Sequence, residues 1–169
     1  MAEQKPKIIS RAEWQAKRRR GGAQIVAPRQ RKRVGVHYST GQELGRDDCA
    51  AWVRQIQLHH QLSNGWSDIG YNFLVCKHGD IFEGRGWDLA GAHCPGRNID
   101  SIGICFLGND DPNVLDVTVE AKLAIRFLID EFERKFGKPE EIFPHRKYKA
   151  TLCPGQELSD WIEAGLPID

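Results

Sequence analysis

Short apolar runs alternate with longer segments of helical periodicity along the 169 residues of the chain. Four runs are rich in β-branched and aromatic residues, as β-strands are: Arg33–Tyr38, residues 71–76, Ile81–Glu83 and residues 101–107. Residues 77–80, between the second and third runs, contain a Gly-Asp pair, which predicts a β-hairpin. His78 lies at this turn, where we expect it to face solvent.

The first of three long helical segments begins at Asp47 or Asp48, either of which suits an N-cap, and ends at Leu62. Its periodicity predicts an inner face made of Ala51 or Trp52, Ile56, and Leu58 or Leu62. His59 and His60 fall on the last turn, where cations suit the helix dipole. We therefore expect them to be surface or capping groups rather than metal ligands.

The strongest helical pattern is Val119–Phe136, with Thr118 as its cap and Gly137 as its stop. Residues 156–164 predict a last helix, and Ser10 predicts a short helix through Trp14. Strands and helices interleave, so the sequence predicts an α/β fold with a central mixed β-sheet flanked by helices on both faces. Its length indicates a single domain at residues 1–169, with residues 1–7 as a flexible tail.

The overall composition is that of an ordinary globular protein, with 28% charged and 40% hydrophobic residues and a formal net charge of +1. Positive charge is concentrated in residues 17–33, a stretch rich in Arg, Gly and Pro that predicts a long surface connection. The stretch contains no acid, and its cations are Lys17, Arg18, Arg19, Arg20, Arg29, Arg31, Lys32 and Arg33. Because no aromatic residues lie among them, we expect no specific nucleic-acid partner, but a solvated face or a weak attraction to anionic polymers.

The N-terminal residues 1–7 lack the apolar core of a signal peptide, and no apolar run approaches the length of a membrane span. We therefore expect a monomeric chain that is made in the cytoplasm and does not insert into a membrane.

The five cysteines show no spacing typical of a disulfide framework. Cys76 and Cys105 lie in apolar strands and are expected to be buried thiols. If Cys153 binds a metal, Cys49 and Cys94 are the only pair left for a bridge.

His145 and Cys153 lie eight residues apart in a segment too rich in Pro and Gly for a regular element. A zinc site needs a further ligand, and His37, at the end of a buried strand, is the candidate. Taken singly, a histidine or a cysteine is more often a hydrogen-bonded or buried side chain than a ligand. Together, two histidines and one cysteine leave a fourth position open, which is typical of a catalytic zinc ion.

Six sequence blocks, in order between Trp14 and Trp161, strengthen this interpretation: VHYST at 36–40, DIGYNF at 68–73, EGRGW at 83–87, GAH at 91–93, SIGI at 101–104, and HR…TLCPG at 145–155. In these blocks the chain resembles the peptidoglycan recognition proteins and the zinc-dependent N-acetylmuramoyl-L-alanine amidases, which include phage endolysins. The resemblance implies the same α/β fold. Those proteins usually carry a short disulfide after the first histidine, whereas Cys49 has no partner close in sequence, which favours synthesis in a reducing compartment.

The resemblance also implies an activity. His37, His145 and Cys153 would bind one zinc ion. The protein would hydrolyse the amide bond between N-acetylmuramic acid and L-alanine of peptidoglycan. It would act as an endolysin or a bacterial lytic enzyme that is released or exported to the cell wall. Tyr71 would stabilise the oxyanion, with core packing as the alternative, and Thr151 would contribute a hydrogen bond.

The partner implied is the glycan and stem peptide of peptidoglycan. His93 matches a position that lines the family's substrate groove, with a structural hydrogen bond as the alternative; further candidate contacts are Trp66, Arg85, Trp87 and Asn98. Many relatives bind peptidoglycan without cutting it, and they commonly lack the metal-binding cysteine. A non-catalytic recognition module is therefore the alternative function, and the presence of Cys153 argues against it.

Overall fold

The computed structural model describes residues 5–41, 46–109 and 117–168. Within these ranges six strands form one sheet: β1 (Ile8–Ile9), β2 (Arg33–Tyr38), β3 (Phe73–Val75), β4 (Ile81–Glu83), β5 (Ser101–Phe106) and β6 (Glu141–Pro144). Their order is β1-β4-β3-β5-β2-β6. Neighbouring strands are parallel except in the β3–β4 hairpin, so the predicted mixed sheet and hairpin are confirmed.

Helices cover both faces of the sheet, as predicted. They are α1 (Arg46–Leu62), α2 (Val119–Phe136) and α3 (Gln156–Glu163). Both α2 and α3 pack on the face that carries Val34 and Val36, whereas α1 packs on the other face, against Leu74 and Cys105. Because side chains alternate along a strand, Gly35 and His37 lie on the α1 face. Within the described ranges, no helix is both long enough and apolar enough to cross a membrane.

Helix α2 follows its sequence pattern closely. The hydroxyl oxygen of Thr118 accepts a hydrogen bond from the backbone N–H of Ala121, which satisfies one of the free donors at the helix start. Gly137 ends the helix with φ 89°, a conformation that favours glycine. The predicted boundaries of α2 are confirmed. They could be predicted because the capping residues and the apolar periodicity indicate the same ends.

The predicted inner face of α1 was right only in part, because Trp52 and Ile56 are partly buried and pack against the core. The helix begins at Arg46, before the predicted cap, and Leu62 is 67% exposed. Its most deeply buried side chains are Cys49, Val53, Gln57, His60 and Gln61. Three of these are polar, so the apolar periodicity of the sequence could not reveal them. His59 is exposed, but His60 is buried, and its Nδ1 accepts a hydrogen bond from the backbone N–H of Gly70.

Residues 17–33 are more firmly attached than a surface connection would be. Arg31 is buried, and its guanidinium donates hydrogen bonds to the backbone carbonyls of Trp87, Leu89 and Ser101. The predicted surface position of Arg31 was therefore wrong, because a guanidinium has enough donors to replace water with carbonyl groups. Nearby, the predicted short helix after Ser10 is only a turn.

The cysteine prediction also needs correction. Cys49, near the start of α1, and Cys76, just after β3, form a disulfide with their Cα atoms 6.5 Å apart. Cys76 is therefore not a free thiol, and the suggested pairing of Cys49 with Cys94 was wrong. The helix crosses the end of the strand at this point, a tertiary contact between residues 27 positions apart in sequence. Cys94 and Cys105 are buried thiols, and His78 is half-buried rather than solvent-facing.

Candidate metal centre and active site

His37 and His145 are brought together by the register of two parallel strands. Val36 in β2 lies opposite Pro144 in β6, so the residue that follows each of them emerges at the same carboxyl edge of the sheet. The chain turns into a short 3-10 helix at His145, and the two imidazole centroids are 4.4 Å apart. The carboxyl edge of parallel strands is where α/β proteins usually place ligands.

Cys153 reaches the same point through a tight loop. The backbone N–H of Arg146 donates to the carbonyl of Cys153 at 2.8 Å, which brings the chain back to its starting point. The Thr151 hydroxyl accepts from the backbone N–H of Cys153 at 3.2 Å, and the backbone N–H of Tyr38 donates to its sulfur at 3.3 Å. The structure therefore gives Thr151 a role in holding the cysteine, and Tyr38 a role in stabilising a thiolate.

The chemistry of these three side chains fits a divalent metal ion. One ligand atom from each of His37, His145 and Cys153 lies within 4.8 Å of the other two. All three residues are buried, and Nε2 of His145 has no hydrogen-bond partner. Burial lowers the pKa of His37 and raises the pKa of the Cys153 thiol to about 12, so neither group is charged without a compensating cation. A metal ion would both satisfy the free nitrogen and stabilise the thiolate.

A buried hydrogen-bond chain fixes the orientation of the His37 ring. The Ser101 hydroxyl lies 2.5 Å from the carbonyl oxygen of Arg97 and must donate its hydrogen there. Ser101 Oγ therefore accepts from Nε2–H of His93 at 3.2 Å. Burial lowers the pKa of His93 to about 3, so the ring is neutral and its Nδ1 is an acceptor.

The same chain selects the tautomer of His37. Its Nε2 lies 2.8 Å from Nδ1 of His93 and must carry the hydrogen. The lone pair of His37 is consequently on Nδ1, the nitrogen that lies 3.7 Å from the sulfur of Cys153. An imidazole whose second nitrogen donates a hydrogen bond is the usual arrangement of a metal-binding histidine.

Space for the His93 ring comes from two glycines that face each other across β2 and β5. Gly35 and Gly103 are register partners. A Cβ atom at Gly103 would lie 2.4 Å from Cγ of His93, and one at Gly35 would lie 2.8 Å from Cζ of Phe143 and 3.3 Å from Cε1 of His93. The His93 ring therefore packs directly on the backbone of the sheet, at two positions that have no Cβ atom.

Tyr71 lies beside the predicted metal ligands. Its ring centroid is 5.3 Å from that of His37, and the thiols of Cys105 and Cys153 lie near its hydroxyl. Burial and the nearby thiols of Cys105 and Cys153 raise the pKa of Tyr71 well above its ordinary value. The phenol is therefore neutral at physiological pH and is able to donate a hydrogen bond to an anionic oxygen.

A cavity of about 190 Å³ lies on the α1 side of Tyr71. The rings of Trp66 and His60 have centroids 4.7 Å apart, and Trp66 is 36% exposed. The cavity offers aromatic and polar groups to a ligand, and its lining residues are Ser39, Trp52, Gln55, Ile56, His59, His60 and Tyr71. Of the predicted substrate contacts, Trp66 is the one that the structure places against a cavity-lining residue.

The other predicted contacts have structural partners. His93 is buried against His37, as the alternative interpretation proposed. The side-chain carbonyl of Asn98 accepts from the backbone N–H groups of His93 and Cys94, and the guanidinium of Arg85 donates to the carbonyls of Ile69 and Ala90.

Trp87 is not in the cleft. Its ring packs against Phe73 and Phe136 in the core beneath α2, on the face of the sheet opposite His37. The sequence around Trp87 does not show toward which face of the sheet the chain turns after β4. The prediction that Trp87 contacts the substrate therefore placed it on the wrong face. Sequence reasoning also missed Ser101 and Cys105, whose only signal is the alternation of small residues along β5.

Comparisons with known proteins agree with this geometry. The model of the family described as N-acetylmuramoyl-L-alanine amidase matches residues 27–156. Peptidoglycan-recognition protein SC2 of Drosophila melanogaster is 34% identical over 153 residues, which cover 89% of this chain and 82% of that protein. The N-acetylmuramoyl-L-alanine amidase of Homo sapiens is 37% identical over 116 residues, which cover 66% of this chain and 20% of that protein.

Solved structures show the same relationship. Peptidoglycan recognition protein-LE in complex with tracheal cytotoxin, a monomeric diaminopimelic acid-type peptidoglycan, superposes with a TM-score of 0.85 at 30% identity, covering 93% of this chain and 92% of that one. The chain therefore belongs to the family of the peptidoglycan recognition proteins and type 2 N-acetylmuramoyl-L-alanine amidases.

Proposed function

We propose that the protein is a zinc-dependent N-acetylmuramoyl-L-alanine amidase, which hydrolyses the amide bond between N-acetylmuramic acid and L-alanine in peptidoglycan. The observation that carries this proposal is the convergence of the ligand atoms of His37, His145 and Cys153 beside the neutral hydroxyl of Tyr71. Amide hydrolysis needs an activated water molecule and a donor for the oxyanion, and this arrangement suits both needs.

Each of the residues has a distinct part in the proposed reaction. His37, His145 and Cys153 would hold the zinc ion, which would supply an activated water molecule and a Lewis acid for the amide carbonyl. Tyr71 donates a hydrogen bond to the oxygen that becomes negative in the transition state. The Thr151 hydroxyl keeps Cys153 in place by accepting a hydrogen bond from the backbone N–H of Cys153. The products are the lactyl carboxylate and the free amine of L-alanine.

Peptidoglycan is the proposed substrate because the family's names and a solved complex point to it. A relative that superposes on 93% of this chain is described in complex with a peptidoglycan fragment. The cavity beside Tyr71, with Trp52 and Trp66 near it, has aromatic faces that suit a sugar or a peptide. We place the reaction at the cell wall, after release or export of an endolysin or a bacterial lytic enzyme.

The rival function is peptidoglycan recognition without cleavage. Peptidoglycan-recognition protein SC2 and several other similar proteins carry names that state recognition only. We favour hydrolysis because all three candidate metal-binding side chains are present, with ligand atoms within 4.8 Å of one another.

Mass spectrometry of digested peptidoglycan tests the proposal. Zinc-loaded protein should release stem peptides with a new free L-alanine amino terminus, and removal of zinc should abolish their release. Cys153→Ser should lose cleavage and keep binding, whereas Tyr71→Phe should lower turnover by about 10²-fold with zinc affinity unchanged. Full activity of the metal-free protein would refute the metal mechanism, and binding without cleavage by the zinc-loaded protein would establish the recognition module instead.

A further inference from the structure

A second cleft, separate from the metal centre, is lined mainly by cationic side chains. It has a volume of about 550 Å³, and its lining consists of Arg11, Ala12, Ala16, Lys17, Arg18, Arg19 and Gly21. No acidic residue lines it, and it shares no lining residue with the cavity beside Tyr71. We call it the cationic cleft.

The arginines of the cationic cleft are held by one buried carboxylate. Asp68 is fully buried, and its Oδ2 lies 2.9 Å from Nη2 of Arg11 and 3.5 Å from Nε of Arg19. Its Oδ1 accepts from the side-chain amide of Gln57 at 2.9 Å and from the backbone N–H of Ile69 at 2.8 Å. One carboxylate thus fixes two guanidinium groups, and a positive charge is left in excess.

The backbone of the cationic segment is held equally firmly. Gln57 exchanges two hydrogen bonds with the backbone of Lys17, at 2.8 and 3.0 Å, and Gln61 donates to the carbonyl of Arg18 at 3.2 Å. The backbone N–H of Arg20 donates to the carbonyl of Ser67 at 2.8 Å. Because Gln57 and Gln61 are buried, the cations of residues 17–20 are presented on a fixed frame rather than on a loose loop.

Three of these cations are available to a ligand. Lys17, Arg18 and Arg20 are exposed, and none makes an ion pair with any residue in the described part of the chain. Arg20 donates only a long hydrogen bond, 3.4 Å, to the carbonyl of Gln61. Clustered guanidinium groups favour phosphate oxygens, which they bind with paired, charge-assisted hydrogen bonds.

The cleft offers charge but no surface for stacking. The ring of Trp14, whose centroid lies 5.6 Å from Cζ of Arg11, is buried, and its indole N–H donates to the carbonyl of Glu83. Single-stranded nucleic acids are usually held by exposed aromatic faces as well as by charge. This absence favours a ligand with repeated phosphates and no bases.

We propose that the cationic cleft binds a base-free phosphodiester polymer, such as a polyol phosphate, and holds the protein on surfaces that carry it. The ligand's phosphates would contact Lys17 and Arg18, with Arg11 and Arg19 behind them. The proposal does not depend on zinc or on hydrolysis, because none of these residues contacts the metal centre.

Calorimetric titration with a glycerol phosphate oligomer tests the proposal on the full chain. Lys17→Gln/Arg18→Gln should weaken binding about tenfold or more, and the slope of log affinity against log salt should fall by about two. The matched control, Arg126→Gln/Lys138→Gln, removes the same charge from exposed positions elsewhere and should change affinity less than twofold. Zinc-loaded and metal-free protein should bind equally.

Several results would overturn the proposal. Equal losses in the two double variants would mean that only net charge matters, and the absence of binding to the wild-type chain at about 50 mM salt would exclude the site. Tighter binding of single-stranded DNA than of the oligomer, at equal phosphate concentration, would show a nucleic-acid site instead. Peptide release from peptidoglycan that lacks phosphate polymers, measured in parallel, tests the amidase function separately, because both double variants should retain it.

Discussion

Replacing His93 should weaken the proposed zinc binding although His93 is not one of the three candidate ligands. His93→Leu removes the acceptor that holds the Nε2 hydrogen of His37, and this buried donor would then lack a partner. An unsatisfied buried donor costs about 1 to 3 kcal/mol. Loss of the partner of a metal-binding histidine typically weakens metal affinity about 10- to 100-fold, the same range of free energy. We therefore expect zinc affinity to fall by that factor.

Two further variants separate the hydrogen-bond chain from mere packing. His93→Gln keeps an acceptor for His37 and a donor for Ser101, so it should recover most of the affinity. Ser101→Ala removes the acceptor that fixes the His93 tautomer and should fall between the wild type and His93→Leu. Its matched control is Ser159→Ala, because Ser159 is also buried and also donates to a carbonyl four residues earlier, at 2.6 Å. The control should leave zinc affinity unchanged.

Competition between the protein and a chromophoric chelator measures the zinc affinity, and cobalt substitution reports the ligand geometry. The thiolate band from Cys153 should persist in the folded His93 variants, while the visible absorption of the cobalt ion shifts with the His37 ring. Urea unfolding shows which variants fold. Wild-type affinity and an unchanged cobalt spectrum in His93→Leu would refute the reasoning, and so would a loss in His93→Gln as large as that in His93→Leu.

Three further predictions concern the scaffold. Arg31→Met leaves one buried and two part-buried carbonyls without this donor and should lower the free energy of unfolding, measured in urea, by about 3 kcal/mol. Arg29→Met, at an exposed position, should lower it by less than about 0.5 kcal/mol, and similar losses in the two variants would contradict this assignment. Breaking the disulfide with Cys49→Ala/Cys76→Ala frees a loop of 27 residues and should lower the free energy of unfolding by about 3.5 kcal/mol, and an unchanged urea midpoint would contradict this expectation. Burial lowers the pKa of His60 to about 4, so below pH about 6.5 the unfolded chain binds a proton that the folded chain does not. The free energy of unfolding, relative to that of His60→Asn, should therefore fall by about 2 kcal/mol between pH about 6.5 and about 4. Parallel curves of stability against pH for the two proteins would exclude this effect.

The parts of the fold that could be predicted from sequence are those set by local signals. Helix α2 has a cap, an apolar stripe and a terminal glycine, and each signal points to the same boundaries. The candidate metal ligands could be proposed because a strand end and a Pro- and Gly-rich loop carry side chains of the right chemistry, and because whole blocks of sequence resemble a known family. The structure brings His37, His145 and Cys153 together, as that hypothesis requires.

The parts that could not be predicted depend on polar groups buried by tertiary contacts. Gln57 and Gln61 face inward because the backbone of residues 17 and 18 needs their amides, and periodicity counts such residues as surface. Arg31 is buried for a similar reason. The partner of Cys49 depends on where α1 crosses β3, a geometry that sequence spacing does not contain.

Gly35 and Gly103 have no side chains, yet the position of the His93 ring beside the candidate metal ligands depends on both of them. An alanine methyl group at either position would push the His93 imidazole away from the sheet or displace Phe143, and the ring of His37 would then lose its anchor. Substitutions at these two positions should therefore be tolerated as poorly as substitutions of the residues that line the cleft, and less well than substitutions elsewhere in the strands. The absence of a Cβ atom at Gly35 and Gly103 is therefore itself a requirement of the site.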